Sequence, residues 1–304
     1  MEKFNKNFSI LITTKNRLLD LKYTLLKIQN LLNRFDVECL ICDDGSNDGT
    51  SQFIKEKYPK ISIIRNEISK GLILSRNLLL AKTSAQYAIS LDDDAHFLTE
   101  NPLESIANYF SINPNCGLLG FRIFWGVTEP EITFTDQIPI RVKGFVGCGH
   151  VWRMDAWLKV PNYPEWFVFY GEEDFASYHL FKKNIEIHYL PSVLVHHMVD
   201  VKSRKKGSDY QLRLRRSLRS GWYLYLMFYP LQNIPRLLFY SLWMQIRNKV
   251  LKGDFKASIA ILQALGDVII QSPKLLKNSD RLQPDELKAY QTLPDTKIYW
   301  KPEN

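Results

Sequence analysis

Cysteine is scarce in this sequence, with four residues among 304. Cys39 and Cys42 lie in one strand-like run, where alternation directs their side chains to opposite faces. Cys116 and Cys148 stand singly in apolar or glycine-rich surroundings. We interpret all four as reduced packing residues of a cytoplasmic protein, which excludes a disulfide framework.

Long apolar runs are also missing. The first apolar stretch, Phe8–Ile12, is too short for a signal peptide. The most apolar region, Trp222–Ile246, is interrupted by Pro230, Pro235 and several polar residues, whereas a membrane-spanning helix needs roughly 20 predominantly apolar residues. The sequence therefore predicts no transmembrane segment, and it contains no internal repeat or low-complexity tract.

What is present suits a folded, basic protein. A hydrophobic content of 45% over this length is enough for one large α/β domain or for a core with an appendage, and argues against intrinsic disorder. The formal net charge of +8 leaves nucleic acid, an anionic membrane surface and a phosphate-bearing substrate as possible partners.

Up to about residue 95, short apolar runs rich in β-branched residues alternate with helical patterns. The predicted strands are Phe8–Thr13, Val37–Cys42, Ile61–Ile64 and Tyr87–Leu91, and the predicted helices are Leu18–Leu32, Thr50–Lys57 and Leu72–Lys82. This alternation is typical of buried parallel strands with crossover helices. A nucleotide site is then expected beyond the carboxyl ends of the strands.

The second half is more irregular. Between about 100 and 200 we expect a helix at Glu172–Lys183 and strands at Glu186–Leu190 and Ser192–Val195. After residue 200 come eight Lys and Arg residues within Lys202–Arg219, followed by long aromatic-rich helical patterns. We therefore predict one α/β domain over 1–200 and a helical C-terminal extension over 201–304.

Three carboxylates, Asp92, Asp93 and Asp94, follow an apolar strand directly. Like charges this close require a cation or hydrogen-bond donors to compensate them. Oxygen ligands suit Mg²⁺ or Mn²⁺, which neutralise phosphate charge in nucleotide-using enzymes. The alternative is a solvated acidic turn that caps the next helix.

A second acidic turn, Asp43–Thr50, also follows a strand, and its glycines permit a tight turn. Because Asp44 lies at the carboxyl edge of the predicted sheet, it is a candidate to accept a hydrogen bond from the base or ribose of a nucleotide. The alternative is an ordinary Asp-Gly turn.

Four segments occur in the order and spacing seen in family 2 glycosyltransferases: Ser9–Arg17, Asp43–Thr50, Gly71 with Ser75–Asn77, and Leu91–Asp94. The chain resembles these enzymes over about residues 8 to 200. The resemblance implies a GT-A fold, a Rossmann-like and mostly parallel sheet flanked by helices. Residues 1–100 would bind a nucleotide sugar, and residues 101–200 would hold the acceptor side and the base.

The resemblance also implies roles for individual residues on the donor side. Thr13 and Arg17 would lie near the base, Asp44 would contact it, and Arg76 would approach the base or the phosphates. Asp92 would face the ribose and Asp94 would ligate the metal. Asp93 would support the ligands or be an alternative ligand itself. The alternative for Arg76 is an ordinary cation on the surface of a helix.

On the acceptor side, Tyr170–Phe175 resembles the family's Gly-Glu-Asp loop, in which an acidic residue deprotonates the acceptor hydroxyl. Glu173 occupies that position when the helix is aligned to the family's loop without gaps. A shift of one residue in the alignment would place Asp174 there. A carboxylate at this point has to be ionised and within reach of the hydroxyl. A plain acidic helix start is the alternative.

His196 and His197 follow the last predicted strand, where many relatives have a histidine that completes the metal site. Adjacent strand residues point to opposite faces, so both are not expected to bind one ion. An imidazole ligand beside carboxylates is more compatible with Mn²⁺ than with Ca²⁺. A histidine pair without a metal is the alternative.

Aromatic residues are candidates for contact with the acceptor. The run Gly144–Trp152 resembles the family's acceptor-side strand, which implies that His150 and Trp152 line the acceptor pocket. Three further tryptophans are candidates to stack on sugar faces: Trp125, Trp157 and Trp166.

The cations of Lys202–Arg219, followed by the aromatic-rich stretch Trp222–Trp243, suit the headgroup region of an anionic bilayer. We expect peripheral binding at the inner face of the plasma membrane. The alternative is a helical appendage packed on the catalytic domain or on a second copy in a homo-oligomer. No DNA-binding or RNA-binding motif accompanies the charge, so nucleic acid is not expected as a partner.

The resemblance implies inverting transfer of a sugar from a nucleoside-diphosphate sugar to a hydroxyl of a saccharide or lipid-linked acceptor, and we expect the setting to be glycan or glycolipid assembly. A UDP-sugar is favoured, with GDP- and dTDP-sugars as alternatives. The competing hypotheses are an inactive nucleotide-binding or membrane-scaffold protein, since a fold does not fix a function, and a nucleotidyltransferase, which also uses paired carboxylates.

Overall fold

The computed structural model describes residues 5–199 and 209–302. In this part of the chain nine strands form one sheet, in the order β3-β2-β1-β4-β8-β6-β9-β5, with β7 also paired to β9. The strands are β1 (Lys6–Thr14), β2 (Val37–Asp43), β3 (Ser62–Arg65), β4 (Ala85–Asp92), β5 (Ala95–Phe97), β6 (Cys116–Trp125), β7 (Ile140–Val142), β8 (Gly149–Arg153) and β9 (Glu186–His197).

Helices cover both faces of the sheet and continue into the C-terminal region. They are α1 (Leu18–Lys27), α2 (Gln29–Leu32), α3 (Thr50–Lys57), α4 (Leu72–Lys82), α5 (Pro102–Ile112), α6 (Met154–Trp157), α7 (Glu172–Lys182), α8 (Tyr210–Phe228), α9 (Ile234–Asn248), α10 (Phe255–Lys277) and α11 (Pro284–Thr292). The predicted α/β architecture with a helical C-terminal region is confirmed.

The first four strands are apolar along their length because both faces of the sheet are covered. Ile10 and Ile12 of β1 belong to one hydrophobic cluster, whereas Leu11 belongs to a second cluster on the other face. Cys39 and Cys42 of β2 divide between the same two clusters, and all four cysteines are free and buried. This agrees with their interpretation as packing residues.

The sheet is mixed, and not mostly parallel as predicted. Strands β1 to β4 pair in parallel, but β8 runs antiparallel to both β4 and β6. The two strands expected at Glu186–Leu190 and Ser192–Val195 form the single strand β9, with an irregularity opposite Phe121 and Arg122. Pro191 marks that irregularity, because proline cannot donate to the ladder.

The helices after residue 209 share the core of the first domain. Tyr223, Met227 and Phe228 of α8 are buried in the same hydrophobic cluster as Trp152 and Phe175. The cluster therefore continues across the domain boundary that we predicted near residue 200, and the helices after residue 209 pack on the preceding part of the chain.

By length and composition alone, one helix within the described residues is able to cross a membrane: α10, Phe255–Lys277. The sequence analysis predicted no transmembrane segment, because it judged a different region, Trp222–Ile246, which proline and polar residues interrupt. One side of α10 packs along α8, with Ala260 and Ala264 buried and Asp267 bonded to Arg215. These contacts attach α10 to the rest of the fold.

Candidate active site

A cluster of two carboxylates and one imidazole lies where β4 ends. Strand β4 stops at Asp92, and the chain turns at once into β5, which pairs antiparallel with β9 so that Ala95 lies opposite His197. This register brings His197 beside Asp94. One ligand atom from each of Asp92, Asp94 and His197 lies within 4.8 Å of the others.

This cluster fits a divalent metal. Nε2 of His197 is 3.0 Å from Oδ1 of Asp94 and 3.8 Å from Oδ2 of Asp92. Asp94 Oδ1 and His197 Nε2 are both buried and close to each other, but neither is aligned for a hydrogen bond, with the other or with any third group. Two carboxylate oxygens and an imidazole nitrogen are ligands that Mn²⁺ accepts. Asp92, Asp94 and His197 are therefore the residues that would hold such an ion.

Asp94 is kept ionised by its neighbours. Its burial alone would raise the pKa, but His197 and Arg17 lower the pKa of Asp94 to about 2. Nη2 of Arg17 donates to Oδ2 of Asp94 over 2.7 Å. A carboxylate that is charged throughout the physiological range is suited to bind a cation.

His196 does not join this cluster. Its side chain points to the opposite face of β9, because neighbouring strand residues alternate, and its Nε2 lies 2.8 Å from the carbonyl oxygen of Gly126. There it approaches His96 and Glu129, and Lys27 pairs with Glu129 over 2.6 Å. Of the two candidate histidines, only His197 is placed beside the aspartates.

Asp93 faces away from the metal cluster and supports the first loop. Its Oδ2 accepts from Oγ1 of Thr14 over 2.8 Å, and its Oδ1 is 3.2 Å from Nη1 of Arg17. Burial raises the pKa of Asp93 to about 7, although Arg17 opposes this. This geometry fits a supporting partner better than a metal ligand.

A cleft of about 530 Å³ opens beyond the carboxyl ends of β1, β2 and β4. Five residues predicted on the donor side line it: Thr13, Arg17, Asp44, Asp92 and Asp93. Another cavity of about 560 Å³ lies near the amino ends of β1 to β3 and contains none of the predicted site residues. The first cleft is therefore the candidate donor site.

Asp44 holds the wall of this cleft in place. Its carboxylate accepts hydrogen bonds from Asn66, from the Ser69 hydroxyl and from the backbone N–H groups of Lys70 and Gly71, over 2.6 to 2.9 Å. Although burial opposes it, these donors lower the pKa of Asp44. The residue lines the cleft as predicted, and it also fixes the loop that leads into α4.

Arg76 is not a surface cation, and it does not line the cleft. It is buried, with Nη2 3.0 Å from Oδ1 of Asp92 and Nη1 2.7 Å from Oε1 of Glu172. Nη2 also donates to the carbonyl oxygen of Gly147. Arg76 was predicted to approach the base or the phosphates. Instead it forms ion pairs with Asp92 and Glu172, which connect the metal cluster to the start of α7.

Glu172 is a site residue that the sequence analysis missed. It is buried at the first position of α7, and burial and Glu173 raise its pKa while Arg76 opposes this. Its only signal was the acidic run Glu172–Asp174. That run shows that carboxylates gather here, but it does not show which of them faces Arg76.

The two candidates for the base differ in their surroundings. Glu173 is half-buried and lies near Arg76, whereas the side chain of Asp174 is more exposed, although desolvation by the surrounding residues and the charge of Glu173 raise the pKa of Asp174 to about 6. A Cβ atom at Gly147 would lie 2.5 Å from Oε1 of Glu173 and 2.7 Å from Nη1 of Arg76. The missing side chain of Gly147 therefore leaves space that the ends of the Glu173 and Arg76 side chains both border.

Most of the aromatic residues predicted on the acceptor side belong to the core. His150, Trp152 and Trp157 are buried, which excludes them from an open pocket. Trp166 packs on Tyr223.

Trp125 is the predicted aromatic residue that lies beside the metal cluster. Its ring is 6.0 Å from the ring of His197, and it stacks on Tyr299 at 5.6 Å. Tyr299 comes from the C-terminal segment, which the sequence analysis did not connect with the site.

The family model described as glycosyl transferase family 2 matches residues 9–181, more than half of the chain. The chain belongs to this family. Chondroitin synthase of Escherichia coli is 26% identical over 200 residues, an alignment that covers 57% of this chain and 28% of the synthase. This chain thus spans less than a third of that relative's length.

Solved structures of two other enzymes share the fold. A mannosyltransferase from Pyrobaculum calidifontis, in complex with GDP-Man and Mn²⁺, has a TM-score of 0.56 at 12% identity and covers 96% of this chain and 81% of its own. GalNAc-T7 with UDP, GalNAc and Mn²⁺ has a TM-score of 0.55 at 17% identity, covering 73% and 50%. The fold is GT-A, as the motifs predicted.

Proposed function

We propose that this enzyme transfers a sugar from a nucleoside-diphosphate sugar to an acceptor hydroxyl with inversion and with the help of a divalent metal. The observation that carries the proposal is the cluster Asp92, Asp94 and His197 at the edge of the donor cleft, joined through Arg76 to the acidic start of α7. The proposed setting is glycan or glycolipid assembly.

The residues divide into two groups with different tasks. Asp92, Asp94 and His197 would hold Mn²⁺ or Mg²⁺, which when bound neutralises the charge of the departing diphosphate. Both solved structures described above contain Mn²⁺, and the imidazole ligand favours Mn²⁺ over Mg²⁺. The cleft residues would bind the nucleotide, and a UDP-sugar is the favoured donor.

On the acceptor side, Glu173 would take the proton of the attacking hydroxyl. Arg76 lies beside it and pairs with Glu172, so positive charge offsets the two neighbouring carboxylates. A base that is ionised and close to the hydroxyl lowers the barrier to attack. Attack from the face opposite the departing diphosphate inverts the anomeric centre.

The proposed function predicts metal-dependent release of a nucleoside diphosphate. The purified protein should be offered UDP-, GDP- and dTDP-sugars with Mn²⁺, Mg²⁺ or EDTA, and the released nucleotide identified by chromatography. We expect one donor class to be turned over with Mn²⁺ and not with EDTA. Pyrophosphate as product would indicate a nucleotidyltransferase. Nucleotide binding without any release would indicate an inactive protein.

We also propose peripheral binding to an anionic membrane, through the last part of the predicted aromatic-rich stretch and not through the predicted run of cations. Four of the cations, Lys202, Arg204, Lys205 and Lys206, lie outside the described residues. Arg215 and Arg219 bind Asp267, and Trp222 and Tyr223 are buried. These four side chains are therefore not available to lipid.

Helix α9 offers a surface suited to lipid. Its exposed face presents Phe239, Tyr240 and Trp243 between Arg236 and Arg247, and the helix contains no acidic residue. Aromatic and basic side chains on one exposed helix face are typical of helices that lie in the headgroup region. Each arginine near such a surface contributes about 1 kcal/mol.

The double substitution Phe239→Ser and Trp243→Ser should reduce co-sedimentation with anionic vesicles by several-fold at low salt, because it removes the apolar part of the contact. Phe35→Ser is the matched control, since Phe35 is an exposed aromatic residue outside α9. Equal pelleting of all three proteins would exclude α9 as the contact. A change of oligomeric state in the double variant alone would instead assign this face to a second copy.

A further inference from the structure

Helix α8 of the C-terminal region forms part of the donor cleft. Two of its residues, Leu212 and Arg216, line the cleft together with Phe169 and Lys70. The helix lies outside residues 9–181, the segment that the family model matches. A part of the donor site is therefore supplied by residues that the four sequence motifs do not include.

The position of α8 is fixed by contacts on either side of Arg216. Nη2 of Arg219 donates to the carbonyl oxygen of Phe167 over 2.6 Å, which attaches the helix to the loop before α7. Arg215 binds both carboxylate oxygens of Asp267 over 2.6 and 2.7 Å, which attaches it to α10. Arg216 thus projects from a helix that is held on two sides.

Arg216 differs from the other described arginines of this segment. Arg213 pairs with Asp209 over 2.8 Å, and Arg215 and Arg219 pair with Asp267. Within residues 5–199 and 209–302, no ion pair or hydrogen bond involves the half-buried side chain of Arg216. Burial, together with the nearby Arg219 and Arg215, lowers its pKa. A half-buried cation in this environment is stabilised by an anion.

The acidic residues of the cleft do not supply that anion. Asp44 already accepts four hydrogen bonds, and Asp93 is bound by Thr14 and Arg17. Asp92, the third carboxylate in the lining, pairs with Arg76. Lys15 and Lys70 add further positive charge to the lining. Among the residues that the structure describes, Lys15, Lys70 and Arg216 form no ion pair, so the cleft suits a ligand with more than one negative charge.

We propose that Arg216 binds the diphosphate of the nucleotide sugar, so that α8 of the C-terminal region completes the donor site. The inference rests on the proposed function, which supplies the diphosphate. Arginine suits this task because its planar guanidinium forms two parallel bonds to phosphate oxygens. Arg216 would then recognise the part of the donor that is common to all nucleoside-diphosphate sugars.

The test compares nucleoside diphosphates with nucleosides. Binding of UDP, GDP and dTDP, and of uridine, guanosine and thymidine, is measured by calorimetry or by ligand-observed NMR with Mn²⁺ present. We expect Arg216→Gln to weaken binding of the preferred diphosphate by roughly tenfold to a hundredfold and to leave its nucleoside unchanged. Arg216→Lys should retain part of the affinity.

Arg213→Gln is the matched control, because Arg213 lies on the same helix and does not line the cleft. Circular dichroism and Tm establish that each variant is folded. Equal affinity of wild type and Arg216→Gln for the diphosphate would overturn the role of Arg216 and leave the proposed function standing. If wild type binds none of the three diphosphates, the proposed function itself fails. An equal loss of diphosphate and nucleoside affinity would show that Arg216 only shapes the cleft.

Discussion

Replacing Asp94 by alanine should remove metal-dependent donor binding and lower the rate of transfer roughly a thousandfold or more. Asp94 is the buried carboxylate of the cluster, and its Oδ1 has no hydrogen-bond partner. Without it, Asp92 and His197 remain, and two ligands hold a divalent ion poorly. The loss of charge neutralisation at the diphosphate is expected to cost several kcal/mol in the transition state.

Two measurements separate this effect from a loss of folding. Mn²⁺ binding, followed by electron paramagnetic resonance, should fall in Asp94→Ala, and Tm should show that the protein remains folded. The adjacent histidines give a matched pair, because His197→Gln should weaken Mn²⁺ binding whereas His196→Gln should not. Normal activity of Asp94→Ala, or equal Mn²⁺ binding by the two histidine variants, would contradict the assignment.

The first half of the fold could be predicted from sequence because its elements carry strong local signals. Helices α3 and α4 have the predicted bounds. Each end of strands β1 to β4 lies within two residues of its predicted position. Continuous apolar runs identify strands that are buried on both faces, and the acidic turns identify the carboxyl edge where they end. Five of the predicted donor residues consequently lie around one cleft.

The contacts that cross long stretches of chain could not be predicted in this way. Arg76 and Glu172 are 96 residues apart, and neither the helix pattern of α4 nor the acidic run shows that they pair. The sequence left His196 and His197 as alternatives, because alternation separates them but does not say which one faces Asp94. The register between β5 and β9 decides this.

The packing of the C-terminal region could not be predicted for a similar reason. A run of eight cations before aromatic helices is compatible with lipid, with a packed appendage and with anion binding, and composition does not distinguish them. The difference is made by Asp267 on α10, which neutralises Arg215 and Arg219, and by the docking of α8 beside the cleft. For α8, the structure therefore supports the alternative expectation, a helical appendage that packs on the first domain.

Glu173→Gln should lower the rate of transfer by ~10²-fold to 10⁴-fold while the affinity for the donor stays within about twofold of wild type. The amide keeps the size of the side chain but cannot accept the proton of the acceptor hydroxyl. Asp174→Asn is the matched control, because Asp174 is the next residue of the same helix turn but is exposed, and it should retain near-normal transfer. Single-turnover transfer and donor titration, measured on both variants, separate the chemical step from binding. If Asp174→Asn loses transfer and Glu173→Gln does not, the base is Asp174, and if both turn over normally, the acidic start of α7 does not supply the base.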